Sequence, residues 1–83
     1  MSTISQESKL VGKLSRMQMK KLHANRHKGH WLDMEPGWLL KRARYKLKLL
    51  GLAIRAKDKI ALERAADVAN FCAMAVDNAR VKP

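Results

Sequence analysis

Glu63, Asp67, Asn70 and Asp77 are the residues of this chain best spaced to do chemistry. On a helix of 3.6 residues per turn they fall on one narrow stripe. Three carboxylates and an amide in a row resemble half of a divalent-cation site, because such ions take oxygen ligands. The other half would be acids on a facing helix. The candidate neighbour, Trp38 to Arg55, contains none; its charged side chains are Lys41, Arg42, Arg44, Lys46, Lys48 and Arg55. The pattern reads as an enzyme scaffold with its metal site partly erased, and no metal or other cofactor is expected.

The elements that must position this stripe are helical. No strand signal, internal repeat or low-complexity segment is present. Met1 to Glu7 reads as a flexible polar start, followed by one α-helical domain over 8–83. Leu10, Val11, Leu14, Met17 and Leu22 mark an amphipathic helix over about 8–24, with Ser8 or a neighbour as cap. A basic loop over 25–37 follows, broken by Gly29 and Pro36, and long loops in small domains are often functional. The second helix, about 38–55, carries two apolar stripes: Leu40, Ala43, Leu47, Leu50 and Ile54, and nearly opposite, Trp38, Tyr45, Leu49 and Leu52. A helix apolar on two faces is expected to be covered on both, on one by the chain's own helices and on the other by a second copy or a partner. Asp58 is a fitting cap for a third helix over about 59–79, rich in alanine. The expected fold is all-α, a three-helix bundle.

Eighty-three residues bury a small core, and oligomerisation is the expected remedy. The net charge of +11 implies an anionic partner: nucleic acid, an acidic protein face or a nucleotide. The charge is unevenly spread. Between Ser8 and Leu32 stand seven basic residues and no acid, and from Lys41 to Lys59 eight basic residues and one acid, Asp58. Cys72 lies in an apolar stretch and is expected to be a buried thiol in a reducing cytoplasm. No signal peptide and no membrane span are expected.

Other constellations favour plainer roles. His23, His27 and His30 have spacings compatible with metal ligation, but no cysteine or acid completes a set, so basic or hydrogen-bonding loop roles are expected. Trp31 and Trp38 flank the basic loop, where they either stack on bases or close the end of a small core. Met17, Met19 and Met74 are expected to fill the core. No helix-turn-helix or zinc-finger pattern supports sequence-specific DNA reading.

Three segments together resemble a known family: His23-Ala-Asn25-Arg-His27-Lys28-Gly29-His30-Trp31, Pro36-Gly-Trp38-Leu-Leu-Lys-Arg42, and Glu63-Arg-Ala-Ala-Asp67-Val-Ala-Asn70-Phe71. Over about Lys13 to Asn78 the chain resembles small phage and prophage MazG-like proteins, among the all-α NTP pyrophosphohydrolases. The resemblance implies a helical bundle completed by dimerisation in the bacterial host cytoplasm. It also implies a magnesium site built from an E-x-x-E pair on one helix and an E-x-x-D pair on the next. In this chain Lys46 and Leu49 stand where the first pair is expected, and Arg64 stands at the glutamate of the second. Asp67 alone matches. One acid does not supply the octahedral oxygen set that magnesium demands.

The expectation is therefore a catalytically inactive MazG-like protein that works by binding, with Lys46 paired to Asp67 or Glu63 in place of a metal. Lys28, Trp31, Arg42, Arg44, Tyr45, Lys46, Lys48 and Leu49 are the expected binding residues. The leading role is an inhibitor of a host protein or nucleoprotein complex, such as a CRISPR effector. Two alternatives stay open: a nucleic-acid-binding module, and a residual magnesium-dependent pyrophosphohydrolase.

Overall fold

The computed structural model of the chain describes residues 1–81. Three long helices, α1 (Ile4–Ala24), α2 (Pro36–Arg55) and α3 (Ala61–Val81), pack together, with short 3-10 turns at Arg26–Lys28 and Trp31–Asp33. No strand occurs among the described residues. The all-α expectation holds.

Each helix end has a local cause. α1 begins at Ile4, earlier than the expected start near Ser8, because Thr3 and Gln6 form a capping box: the Thr3 hydroxyl accepts from the Gln6 N–H, and the Gln6 side chain accepts from the Thr3 N–H. α2 begins at Pro36, whose missing N–H costs nothing in the first turn. It ends with Ala56 as C-cap, and Lys57 takes a left-handed φ of 54°. The Asp58 N–H returns to the Ala53 carbonyl and the Lys57 N–H to that of Ile54, the pairing of a Schellman motif. Asp58 then turns the chain into α3 by accepting from the Ile60 N–H.

α3 is the central helix, packed against α2, α1 and the Trp31–Asp33 turn. Gln18 meets Asn70 and Lys21 meets Asp67, so α1 runs antiparallel to α3. The tight turn after Lys57 makes α2 antiparallel to α3 as well. α1 and α2 are therefore parallel, and the segment between them must run back along α3, from the level of Asp67, where α1 is ending, to that of Asn78, where α2 is about to begin. This explains the long basic connection: it is a crossover, not a hairpin loop.

The core is small. Leu39, Ala43 and Ala53 of α2 and Ala66 and Ala75 of α3 are its buried apolar residues. The buried line of α2 runs between the two expected stripes. Leu40, Leu47 and Ile54 remain exposed on one flank, Trp38, Tyr45 and Leu52 on the other, while Leu49 and Leu50 are half-buried. Two further expectations are corrected. Met19 is exposed, whereas Met17 and Met74 are half-buried. Cys72 is exposed, because two residues beyond buried Asn70 a helix has turned about 200°.

The chain is more open than its size requires. Its radius of gyration is 14.0 Å, against about 12 Å for a compact domain of this length. Its accessible surface is 6517 Å², against roughly 5000 Å² for a compact monomer of this mass.

Candidate binding cleft

Between the parallel helices lies a cleft of about 810 Å³. α3 forms its floor through Asp67, Asn70, Phe71 and Met74. α1 supplies Met19, Lys21 and Leu22, α2 supplies Trp38, Arg42 and Lys46, and the crossover supplies Arg26, Lys28, His30, Trp31 and Met34.

The deepest charge is Asp67, 5% exposed. Lys46 reaches its Oδ2 at 3.5 Å and Lys21 its Oδ1 at 3.6 Å. Lys46 was the expected partner; Lys21 was not foreseen. Both lysines bury their stems while keeping some contact with solvent, as long cationic side chains do. Two ammonium groups therefore stand around one carboxylate, and the local balance is positive. Asp67 Oδ2 makes no hydrogen bond despite being buried. The pairing is a charge clasp rather than a set of aligned hydrogen bonds.

One turn along α3, Asn70 is held by α1. Gln18 Nε2 donates to Asn70 Oδ1 at 3.1 Å, and Asn70 Nδ2 donates to the Gln18 carbonyl at 3.2 Å. This reciprocal pair fixes the register of α1 on α3 while satisfying a buried amide.

The far end of the cleft is closed by the crossover. Asn78, fully buried, donates Nδ2 to the carbonyls of Trp31 at 2.7 Å and Met34 at 2.6 Å. The Trp31 indole N–H donates to Asp77 Oδ2 at 2.8 Å. Asp77 thus anchors the crossover through the Trp31 indole. The stripe facing the cleft continues from Asp67 and Asn70 through Met74 to Asn78. His30 stacks on Trp31 with ring centroids 4.1 Å apart and caps the Trp31–Asp33 turn by accepting from the Leu32 N–H.

Arg42 joins the aromatic wall. Its guanidinium lies 5.2 Å from the Tyr45 ring centroid, 5.9 Å from Phe71 and 6.0 Å from Trp38, within cation–π range. Trp38 meets Phe71 edge to face.

Of the expected binding residues, the cleft brings together Lys28, Trp31, Arg42 and Lys46. Arg44 and Lys48 are exposed on the outer side of α2, and Leu49 is half-buried outside the cleft lining. Tyr45 stands exposed beside Arg42. Glu63 is half-buried and makes no ion pair among the described residues. His23 contacts Arg26, and no group of three His, Cys, Asp or Glu side chains suited to a metal occurs among the described residues. Sequence reasoning missed Gln18, Lys21 and Asn78. The signal for the first two was available: polar residues three apart inside the apolar run of α1.

No helix among the described residues is long and apolar enough to cross a membrane. No family model, curated protein or solved structure matches the chain.

Proposed function

We propose that this chain is a MazG-like protein that acts by binding rather than by metal-dependent hydrolysis. The observation that carries this reading is the clasp at Asp67. At a position where the resemblance expects magnesium between carboxylates, Lys21 and Lys46 bring positive charge to within 3.6 Å. A divalent cation entering there would meet two like charges and one carboxylate. The basic rim and aromatic wall suit the capture of an anionic partner, as the +11 charge implies. A host protein or nucleoprotein complex is the target, and inhibition of a host defence complex is the setting to which the phage resemblance points.

The reading includes a homodimer. The surplus of roughly 1500 Å² over a compact monomer exceeds the roughly 800 Å² that one partner buries in a standard interface. The exposed start of α1 is one place for it. Ile4, Leu10 and Val11 are exposed, although Val11 continues the face on which Leu14 and Gln18 pack.

One observation favours a second reading, a nucleic-acid-binding module: Trp31 and Trp38 stand among Lys28, Arg42 and Lys46 in one cleft, a combination suited to stacked bases and phosphates.

Two assays separate these readings. Nucleoside triphosphates are incubated with the protein and magnesium, and pyrophosphate is measured. The expected result is no release from wild type or Asp67→Ala. Release by wild type that Asp67→Ala abolishes would overturn the binding reading. Binding of single-stranded oligonucleotides is then measured across salt concentrations; a steep salt slope together with loss in Trp31→Ala would select the nucleic-acid module.

A further inference from the structure

We propose that the outer face of α2 is a docking surface for an acidic amphipathic helix of another protein. This inference rests on the binding reading above and names the class of partner.

The twenty residues of α2 contain no acid. On its solvent side Lys41, Arg44, Lys48 and Arg55 are all exposed, at helical spacings that place them in one basic row. Beside that row stand Leu40, Leu47 and Ile54, respectively 46%, 56% and 60% exposed. These three recur every seven residues. Seven-residue spacing keeps side chains along a single seam, the arrangement by which one helix receives another lengthwise. An aliphatic seam beside a cationic row is complementary to a helix carrying apolar residues at the same spacing with carboxylates alongside.

The charges decide between occupants. A second copy would need to present an acidic row, and the chain has seven acids. Asp67 is clasped by lysines, Asp77 holds Trp31, Asp58 accepts from the Ile60 N–H in the turn before α3 and Glu7 accepts from Ser2. Asp33, Glu35 and Glu63 remain, scattered over the crossover and α3. A second copy therefore offers no matching row. A nucleic acid would satisfy the cations but leave the leucines in water, because aliphatic side chains offer bases no ring to stack on. An acidic amphipathic helix satisfies both rows.

The test uses the full chain and a synthetic fluorescent helical peptide with leucines every seven residues and flanking glutamates. A scrambled peptide of the same composition, a peptide with lysines for the glutamates, and duplex DNA serve as comparison ligands. The expected result is binding of the acidic heptad peptide. Leu47→Ser and the double change Arg44→Glu with Lys48→Glu should each weaken it by about tenfold or more, as loss of an interface anchor does. All three changed side chains are exposed, and circular dichroism confirms that the variants fold. No binding of the heptad peptide, or equal binding of the scrambled peptide, would overturn the proposal. Binding of DNA that competes with the peptide and is insensitive to Leu47→Ser would assign the face to nucleic acid. Sedimentation showing a wild-type dimer that Leu47→Ser dissolves would assign it to a second copy. Pyrophosphate release in the separate assay bears on the binding reading alone, so the two failures are distinguishable.

Discussion

The two polar anchors of α3 differ in how they are held. Asn78, at one end of the cleft, makes two short hydrogen bonds to crossover carbonyls, and its neighbour Asp77 adds a third to the Trp31 indole. Asp67, near the other end, is surrounded by two lysines at 3.5 and 3.6 Å. Each residue leaves one buried oxygen, Asp67 Oδ2 and Asn78 Oδ1, without a hydrogen bond, so the difference lies in the bonds that Asn78 Nδ2 donates. The first arrangement is directional. It fixes a backbone that would otherwise have to find its own partners on a long crossover. The second is electrostatic, and it tolerates movement of either ammonium group. A latch needs geometry, whereas a clasp needs only that charges of opposite sign remain near. The cleft is therefore closed rigidly at Asn78 and held by adjustable charges at Asp67.

The largest expected effect breaks the clasp from the cationic side. Changing Lys21 and Lys46 together to methionine leaves Asp67 buried without a counter-charge and should cost about 3 kcal/mol in chemical denaturation. Either change alone should cost less than about 1 kcal/mol, because the remaining lysine still faces the carboxylate. One single change costing as much as the double, with the other costing nothing, would mean that only that lysine matters.

Asn78→Ala sharpens the other side of the comparison. It removes the donor from two carbonyls and should destabilise the fold by about 2 kcal/mol. Amide hydrogen exchange should quicken along the crossover, while α1 remains protected by the Gln18–Asn70 pair. Protection lost equally in α1 would show that latch and clasp are not separate.

Trp31→Phe is the mildest of the three. It keeps the ring stacked near His30 and removes the hydrogen bond to Asp77, for an expected cost of about 1 kcal/mol. A loss as large as that of Asn78→Ala would place the anchor in the indole rather than in the amide.

Much of this was legible in the sequence, and the failures have physical causes. Helical periodicity and breakers marked three helices. The replacement of an expected acid by Lys46 pointed to its pairing with Asp67, and the contact exists. The stripe containing Asp67 was followed to Asp77, but on α3 the inward position one residue later belongs to Asn78. A single residue is a 100° rotation, so a stripe drawn through the acids passed beside the fully buried amide that holds the crossover. Cys72 and Met19 were assigned to the core from their apolar character; which arc of a helix meets its neighbour is set by packing, and both lie outside it. α2 was read as apolar on two faces, one to be covered by the chain's own helices and the other by a second copy or a partner. The buried line passes between them, and leucines on both flanks remain exposed because α1 and α3 alone do not supply enough surface to cover a helix that is apolar on both flanks. The parallel course of α1 and α2 was not legible, since no local signal records the direction in which a long loop returns.

The proposed function holds that the charges of Lys21 and Lys46 stand at Asp67 where the resemblance expects a metal. Its most direct test is the thermal unfolding midpoint of wild type and Asp67→Asn, each measured in excess magnesium and again with a chelator. The account predicts that magnesium leaves the wild-type midpoint unchanged and that Asp67→Asn lowers it equally in both conditions. A magnesium-dependent rise in the wild-type midpoint that disappears in Asp67→Asn would contradict it, because binding to the folded state alone raises stability.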